Sequence, residues 1–181
     1  GGVRYERGDV GGRGDGGAEG SGAGVCAGVE GLWERGVVIQ ALVAQSALAT
    51  PRRAVVGWDS ARMNMILAVL DARCGLALGQ FDVYLNVAGG LRVGEPAADM
   101  AVAAALISAV ADKPVPSETV IVGEIGLSGE VRPVGQLESR LKEATKLGFG
   151  NAYTPKNGTQ GKKKMSIKGL NQTEIGHRQD L

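Results

Sequence analysis

A long run of small apolar residues places the strongest constraint on how this chain folds. Behind Pro96, residues 97–111 read AADMAVAAALISAVA, and alanine has the highest intrinsic helix propensity. Proline is favoured in the first turn of a helix, and the Lys-Pro and Val-Pro pairs at 113–116 end it, because the residue before a proline avoids the helical region. The sequence therefore predicts a helix at 97–111 whose small side chains allow close packing against its neighbours.

Strand and helix signals flank this predicted helix. Apolar runs bounded by glycine or charge predict strands at 36–46, 53–56, 82–90, 151–155 and, as two short strands around a Gly126–Gly129 turn, at 119–134. Apolar residues at helical spacing predict one helix from an Asp59 or Ser60 cap to about Arg73 and another at 135–150. The fold class is therefore mixed α/β, with three main helices packed on a mixed sheet.

Glycine and charge are distributed unevenly along the chain. Residues 1–36 contain 14 of the 30 glycines, and residues 1–24 show no apolar periodicity, so ordering this segment is entropically costly. We therefore expect a disordered, Gly-rich tail at 1–36 and one folded domain at 37–181. The net charge is only +1, but residues 140–181 hold nine Lys and Arg against three Asp and Glu, which is the electrostatic footprint of a basic binding surface.

Other signals limit the class of protein. No apolar run approaches the roughly 18 residues of a membrane span and no leader is visible, so we expect a cytoplasmic protein without a membrane partner. The two cysteines fit a reducing compartment, and Cys74, near the end of an apolar helix, is expected to be buried. The segment GSGAGVCAG at 20–28 is a poor phosphate loop, because it lacks a Lys-Ser/Thr ending and a preceding strand.

Several motifs are specific enough to indicate a family. The run PRRAVVGWDSARMNMILAVLDARCGLALGQFDVYLNVAGGLRVGEPAADMAVAAALISA begins at Pro51, and VGEIGLSGEVRPVGQLESRLKEATKLGF and TPKN follow it. Over about residues 37–181 these motifs resemble the Lon-like domain found at the C-terminus of RadA-type (Sms) bacterial DNA-repair proteins. The resemblance implies the Lon proteolytic-domain fold.

The resemblance also implies parts that this sequence lacks. In that family a zinc finger and a RecA-like ATPase precede the Lon-like domain, and hexameric rings use ATP to drive branch migration of recombination intermediates. No four-cysteine finger, Walker lysine loop or KNRFG motif is present here. We therefore expect a fragment that holds no cofactor itself, while ATP, Mg²⁺ and Zn²⁺ belong to a longer parent, a DNA-dependent ATPase. One hypothesis for the Gly-rich head is a truncated or misassembled gene product, which sequencing of the source locus would test.

The resemblance further implies where a peptidase would have its catalytic dyad. Lon proteases use a serine nucleophile in a motif like DGPSAG and a lysine base in a motif like PIGGLKEK. The matching segments are GEPAAD at 94–99 and PVGQLESR at 133–140, which put Ala97 at the serine position and Glu138 at the lysine position. We therefore expect no peptidase activity, and a Lon-type Ser–Lys peptidase stays open as the alternative function.

No other catalytic set is well supported by the sequence. Ser139 and Lys142 lie three residues apart on a predicted helix face, but an exposed pair has no burial to lower the pKa of the lysine. His177 is the only histidine and lies in a polar segment. Two kinds of ion pair are possible for four charged residues, namely a salt bridge between subunits or an ordinary surface pair. These residues are Arg92, Glu95, Asp99 and Glu124.

The resemblance implies two tasks for the domain, which are self-association into a ring, a hexamer in the parent, and contact with DNA. Arginine and lysine neutralise phosphates, and loop positions allow them to reach the DNA backbone. Because aromatic residues make up only 4% of the chain, sequence-independent contact with duplex or branched DNA is favoured over base stacking. The candidate DNA-contact residues are Arg52, Arg53, Arg132, Arg140, Lys142, Lys156, Lys162, Lys163 and Lys164.

Overall fold

The computed structural model describes residues 36–88, 92–116, 118–156 and 166–176, together with the backbone of 23–27. The helices within these ranges are α1 (Ser60–Cys74), α2 (Asp99–Ala111) and α3 (Leu137–Lys146). The strands are β1 (Ala23–Ala27), β2 (Gly36–Gln45), β3 (Arg53–Val56), β4 (Phe81–Val87), β5 (Thr119–Ile121), β6 (Glu124–Ile125), β7 (Val131–Arg132), β8 (Asn151–Pro155) and β9 (Asn171–Ile175). The predicted mixed α/β class is confirmed.

The first sheet has the strand order β1-β2-β4-β3. Strand β2 lies antiparallel to β1 and β4, whereas β3 and β4 run parallel and are connected through α1. Apolar side chains alternate along β2 and β4, so one face of the sheet carries the buried residues Ile39, Val83, Leu85 and Val87. These residues share one apolar core with the inward-facing side chains of α1 and α2. The three strands predicted for β2, β3 and β4 are confirmed.

Helix α1 begins and ends where its sequence predicts. The Asp59 side chain accepts a 2.8 Å hydrogen bond from the Arg62 N–H, which is the contact of an N-cap. The helix ends before Gly75, whose φ of 67° is left-handed and suits glycine. Cys74 is exposed, so the prediction that it is buried is wrong. The reason is that the whole last turn of α1, at 71–74, lies in solvent.

Helix α2 lies at the centre of the structure. Its residues from Asp99 to Leu106 are all buried, and it packs against β1, β2, α1 and β6. The helix starts two residues later than predicted, because Pro96–Ala98 form a 3₁₀ turn in front of it. Small side chains allow several elements to approach this helix at once, which confirms the predicted close packing.

The second half of the chain forms a smaller layer. Strands β5, β8 and β9 form a parallel sheet with β8 in the middle, and β6 and β7 form an antiparallel hairpin. Helix α3 contributes Leu137, Leu141 and Ala144 to a second apolar cluster. The region 119–134 contains three strands instead of the predicted two, because the chain leaves the β5 sheet at Val122 and Gly123 before it enters the hairpin.

Two strands, β1 and β9, are not among the predicted elements. Strand β1 lies inside the segment 1–36 that the sequence assigns to a tail, and Ala27 of β1 pairs with Gly36 of β2. Strand β9 is mostly polar, with the sequence NQTEI, and pairs in parallel with β8. Both are edge strands, so backbone pairing with a neighbour defines them and their own apolar pattern does not. The first sheet thus extends across the predicted boundary at 36/37, and residues 1–22 lie outside the described residues.

Gly123 is packed too tightly to accept a side chain. Its N–H donates to the Ala97 carbonyl at 2.9 Å, and its carbonyl accepts from the Met100 N–H at 3.0 Å. A Cβ atom at this position would lie 3.0 Å from both Met100 Sδ and Val131 Cγ1. We expect Gly123→Ala to lower the free energy of unfolding by about 1–3 kcal/mol, measured by urea denaturation. Gly79→Ala is the matched control, because a Cβ there meets nothing within 4 Å, and an equal loss in both variants would contradict this explanation.

Candidate functional site

A buried methyl group occupies the position expected for a serine nucleophile. Ala97 lies in the 3₁₀ turn in front of α2 and is only 5% exposed. Its side chain belongs to the apolar cluster that contains Leu137 and Leu141 of α3. A methyl group supplies neither a nucleophile nor a proton, so this turn places no reactive group at the head of α2.

The position expected for the lysine base lies on the solvent side of α3. Glu138 is 61% exposed, and its Oε1 lies 2.7 Å from Nζ of Lys142 in the next helical turn. Such an i,i+4 pair contributes only about 0.3–0.5 kcal/mol to stability. The alternative base, Lys142 beside Ser139, lies on the same exposed side of α3, and its Nζ is paired with the Glu138 carboxylate.

A salt bridge joins the loop in front of α2 to α3. Arg140 donates from Nη1 and Nη2 to Oε1 and Oε2 of Glu95 at 2.9 and 2.8 Å. Its Nε donates to the Gly135 carbonyl at 3.0 Å, and the Arg140 side chain is only 9% exposed. A bidentate carboxylate and a main-chain oxygen therefore orient the planar guanidinium. The two segments that would carry a dyad are held together here by an ion pair.

A second ion pair lies deeper, at the start of α2. Asp99 is fully buried, and its Oδ1 accepts from Arg62 Nε at 2.9 Å. Its Oδ2 accepts from Arg62 Nη2 and, at 3.1 Å, from the N–H of Ile125. Asp99 therefore connects α2 to both α1 and β6.

The surroundings of this pair act on both ionisable groups. The hydrogen bond to Asp99 raises the pKa of the Arg62 guanidinium, because it stabilises the charged form. Burial raises the pKa of the Asp99 carboxyl above its ordinary value, although Arg62 and the Ile125 N–H oppose this effect. Because the guanidinium is always protonated and reaches both carboxylate oxygens, the pair is ionised at neutral pH.

Arg62 is the important residue at this site that sequence reasoning does not identify. It lies 37 positions before Asp99, and no local spacing links the two. Glu95, Asp99 and Glu124 were open to pairing between subunits, but each has a partner within the chain. Glu95 pairs with Arg140, and Asp99 pairs with Arg62. Glu124 Oε1 lies 3.8 Å from Arg132 Nη1.

Three of the candidate DNA-contact residues are paired with acidic side chains. Arg132 lies 2.7 Å from Glu130, Arg140 binds Glu95, and Lys142 binds Glu138, and these acids belong to the same chain. A paired cation must exchange its carboxylate for a phosphate before it contributes to DNA binding, so its net contribution is small.

Arg52 and Arg53, which are neighbours in sequence, differ in the structure. The Arg53 guanidinium donates to the carbonyl oxygens of Leu78, at 2.8 Å, and of Phe81. Arg52 donates its backbone N–H to Asp82 Oδ1 at 2.6 Å, which lowers the pKa of that carboxyl. The Arg52 side chain is exposed and has no salt bridge within the described part of the chain. Arg53 therefore holds the loop in place, while Arg52 keeps an available charge.

Lys156 is the other described candidate with an available charge. It follows β8, where its N–H donates to the Ile175 carbonyl at 2.8 Å. Its side chain is exposed and has no salt bridge to any residue in the described ranges. Three candidates remain, Lys162, Lys163 and Lys164, and they lie outside the described residues. His177 also lies outside them.

Two further findings concern the described residues alone. None of their helices is long and apolar enough to cross a membrane. They also contain no group of three or more His, Cys, Asp or Glu side chains that could hold a metal ion.

Comparison with known proteins identifies the family. The sequence pattern of the Lon protease C-terminal proteolytic domain matches residues 76–176, which is more than half of the chain. The chain belongs to this family. The matched residues include Ala97 and Glu138, the positions at which the resemblance predicts the serine and the lysine of a dyad.

The chain is also similar to proteins named DNA repair protein RadA. The one from Brucella abortus is 61% identical over 134 residues, which are 74% of this chain and 29% of the relative. The one from Rickettsia bellii is 52% identical over 135 residues, or 75% and 30% of the two chains. The one from Synechocystis sp. is 49% identical over 139 residues, or 77% and 28%. The chain thus spans under a third of the length of these relatives, and the predicted RadA-type Lon-like domain is confirmed.

Loss of Arg62 would leave a buried carboxylate without its cation. We expect Arg62→Ala to lower the free energy of unfolding of this Lon-family domain by about 3–5 kcal/mol, measured by chemical denaturation. Arg73→Ala is the matched control on the same helix, because Arg73 is exposed, and its effect should stay within about 0.5 kcal/mol. Adding Asp99→Asn to Arg62→Ala should recover part of the loss, and a double variant with no recovery would contradict the buried charge as its cause.

Proposed function

We propose that this chain supplies the proteolytically inactive Lon-like scaffold and DNA-contact domain of a RadA-type DNA-repair protein. One observation carries the proposal: the serine position is Ala97, buried in an apolar cluster, and the lysine position is Glu138, paired on the surface. The relatives named DNA repair protein RadA support the biological role. In this proposal ATP-driven branch migration, with its ATP, Mg²⁺ and Zn²⁺, belongs to a longer parent protein that acts in the cytoplasm.

The chemistry of the site favours a scaffold over a peptidase. A Ser–Lys dyad needs a hydroxyl and a neighbouring lysine whose pKa burial has lowered. At these positions the structure has apolar packing and the ion pair between Glu95 and Arg140. Both features hold the turn in front of α2 against α3, which is what a structural domain requires.

Restoring the two dyad residues should not restore a peptidase. We expect Ala97→Ser/Glu138→Lys to hydrolyse fluorescent casein no faster than the unmodified chain. The reason is that a lysine at a position exposed to 61% keeps its ordinary pKa and stays protonated at neutral pH. An active Lon protease is the positive control. Hydrolysis by the unmodified chain that is abolished by Ser139→Ala or Lys142→Ala would overturn the proposal in favour of a peptidase.

The DNA-contact part of the proposal rests on the exposed cations that form no salt bridge within the described residues. Arg52 and Lys156 are exposed and unpaired within the part of the chain that the structure describes. An unpaired cation that binds a phosphate releases a counterion from DNA, so its contribution appears directly in the salt dependence of binding. Sequence-independent binding to duplex or branched DNA is the form of contact that such residues provide.

We expect the chain to bind duplex DNA with an affinity that falls as salt rises. Arg52→Gln/Lys156→Gln should reduce the slope of log K against log [salt] by about 1–2, measured by fluorescence anisotropy at several NaCl concentrations. Arg132→Gln/Lys142→Gln is the control, because it removes the same charge at paired residues and should change the slope less. The basic segment is tested separately by replacing Lys162, Lys163 and Lys164 with glutamine.

The outcomes of this measurement test the assignment to Arg52 and Lys156 separately from the DNA-contact role itself. Equal changes in the two double variants would reject the assignment to Arg52 and Lys156. A chain with no salt-dependent affinity for duplex or branched DNA would reject the DNA-contact role altogether.

The scaffold part of the proposal is self-association into a ring, a hexamer in the parent protein. A ring needs a surface on each copy that recognises a different surface on the next copy. Sedimentation of the chain at increasing concentration tests this part, and a strict monomer at high concentration would contradict it.

A further inference from the structure

A leucine side chain is exposed at the tip of the β6–β7 hairpin. Leu127 is 68% exposed, which is the highest value among the large apolar side chains of the described residues. The turn that carries it is well ordered, because Gly126 N–H donates to the Glu130 carbonyl at 3.0 Å and Gly129 N–H donates to the Gly126 carbonyl at 2.9 Å. An apolar side chain on a pre-ordered turn loses little conformational entropy when it binds.

An apolar groove of about 280 Å³ lies at the C-terminal end of α2, and we call it the α2 groove. Ser108 donates its hydroxyl to the Lys113 carbonyl at 2.5 Å, and Pro114 and Pro116 restrict the loop that forms one wall. An apolar cavity of about 150 Å³ accommodates benzene, so the α2 groove has room for a leucine side chain and part of its turn. The apolar lining includes Ala104, Ile107, Ala111, Val115 and Tyr153.

The leucine and the α2 groove lie at opposite ends of one helix. The hairpin is fixed to the first turn of α2, where the Ile125 N–H binds Asp99 and the Gly123 carbonyl binds the Met100 N–H. The groove is formed by the last two turns of α2, and the 13 residues of this helix span about 20 Å. Leu127 does not occupy the groove of its own chain, and a contact between them requires a second molecule.

The net charge of the hairpin is opposite in sign to that of Lys113, the charged side chain that lines the groove. The hairpin carries two acidic side chains, Glu124 and Glu130. Both lie near the Arg132 guanidinium, so these three side chains together have a net charge of −1. Glu130 accepts hydrogen bonds from the Ser128 hydroxyl and from its own backbone N–H, and it lies beside the Arg132 guanidinium. These contacts lower the pKa of Glu130 to about 2, so it is ionised at neutral pH. Lys113 is the charged residue of the groove lining, and it has no salt bridge within the described part of the chain.

We propose that the Leu127 hairpin of one copy of this chain inserts into the α2 groove of the next copy, so that copies join head to tail. The inference rests on the proposed scaffold function and names its contact surface. Because each copy carries both the leucine and the groove, every contact leaves one leucine and one groove available at the ends of the assembly. A contact of this kind closes into a ring when the rotation between copies permits.

Sedimentation velocity on the full chain, at low salt and at several concentrations, tests this contact. We expect Leu127→Asp and Ala111→Trp, which fills the groove, each to raise the dissociation constant of self-association about tenfold or more, since each prevents burial of one leucine. Leu42→Asp is the matched control, because Leu42 is 62% exposed on the first sheet, away from both features. All three positions are exposed, and thermal unfolding of each variant checks that the fold is intact.

A mixing experiment makes the test specific. Leu127→Asp keeps an intact groove and Ala111→Trp keeps an intact leucine, so an equimolar mixture should form a one-to-one dimer that does not grow further. Assembly of Leu127→Asp like the unmodified chain, or a mixture that stays monomeric, would overturn the contact and leave the scaffold function standing. A strictly monomeric unmodified chain would overturn both, while the salt dependence of DNA binding decides the DNA-contact role independently.

Discussion

The carboxylate of Asp99 has no contact with water, and hydrogen bonds from Arg62 on α1 and Ile125 on β6 compensate for its burial. Removing an ion from water costs several kcal/mol unless a charge and hydrogen bonds replace the solvent, so the position of Asp99 determines the positions of both partners. Because α2 directly follows the 3₁₀ turn at Pro96–Ala98 and packs against the first sheet, its fixed first turn also orients the turn that holds Ala97. Gly123 extends this constraint to the strand connection beyond β5. The arrangement of the turn that holds Ala97 therefore depends on the salt bridge between Asp99 and Arg62.

The domain belongs to the Lon proteolytic-domain family, but Ala97 and Glu138 supply neither the hydroxyl nor the amine of a Ser–Lys dyad. The bidentate contact between Glu95 and Arg140 joins the segments that would carry such a dyad. Such a contact hinders the opening of a cleft that must admit and release substrate, whereas it makes a structural domain more rigid. These interactions thus suit the proposed scaffold function, in which the domain holds other parts in place.

The ion pairs also change how the basic character of the chain should be interpreted. By composition, residues 140–181 are strongly basic, but Arg140 and Lys142 are neutralised by acids that precede them in sequence. Arg132 is neutralised in the same way by Glu130 on its own hairpin. The hairpin then presents an apolar leucine beside a small negative charge, which is better suited to a protein surface than to DNA. The proposed DNA contact is left to cations such as Arg52 and Lys156.

The sequence alone determined the parts of this protein that depend on local patterns. Helix α1 with its Asp59 cap and Gly75 end and the Ala-rich helix α2 could both be predicted, because each depends on residues within one or two turns of each other. Strands β1 and β9 could not be predicted, since each is defined by the neighbouring strand with which it pairs. The partners of Asp99 and Arg140, which lie 37 and 45 residues away, were likewise decided only by the tertiary structure. The physical reason is that burial and long-range pairing arise when distant segments pack together, and they leave no periodic signal in either segment.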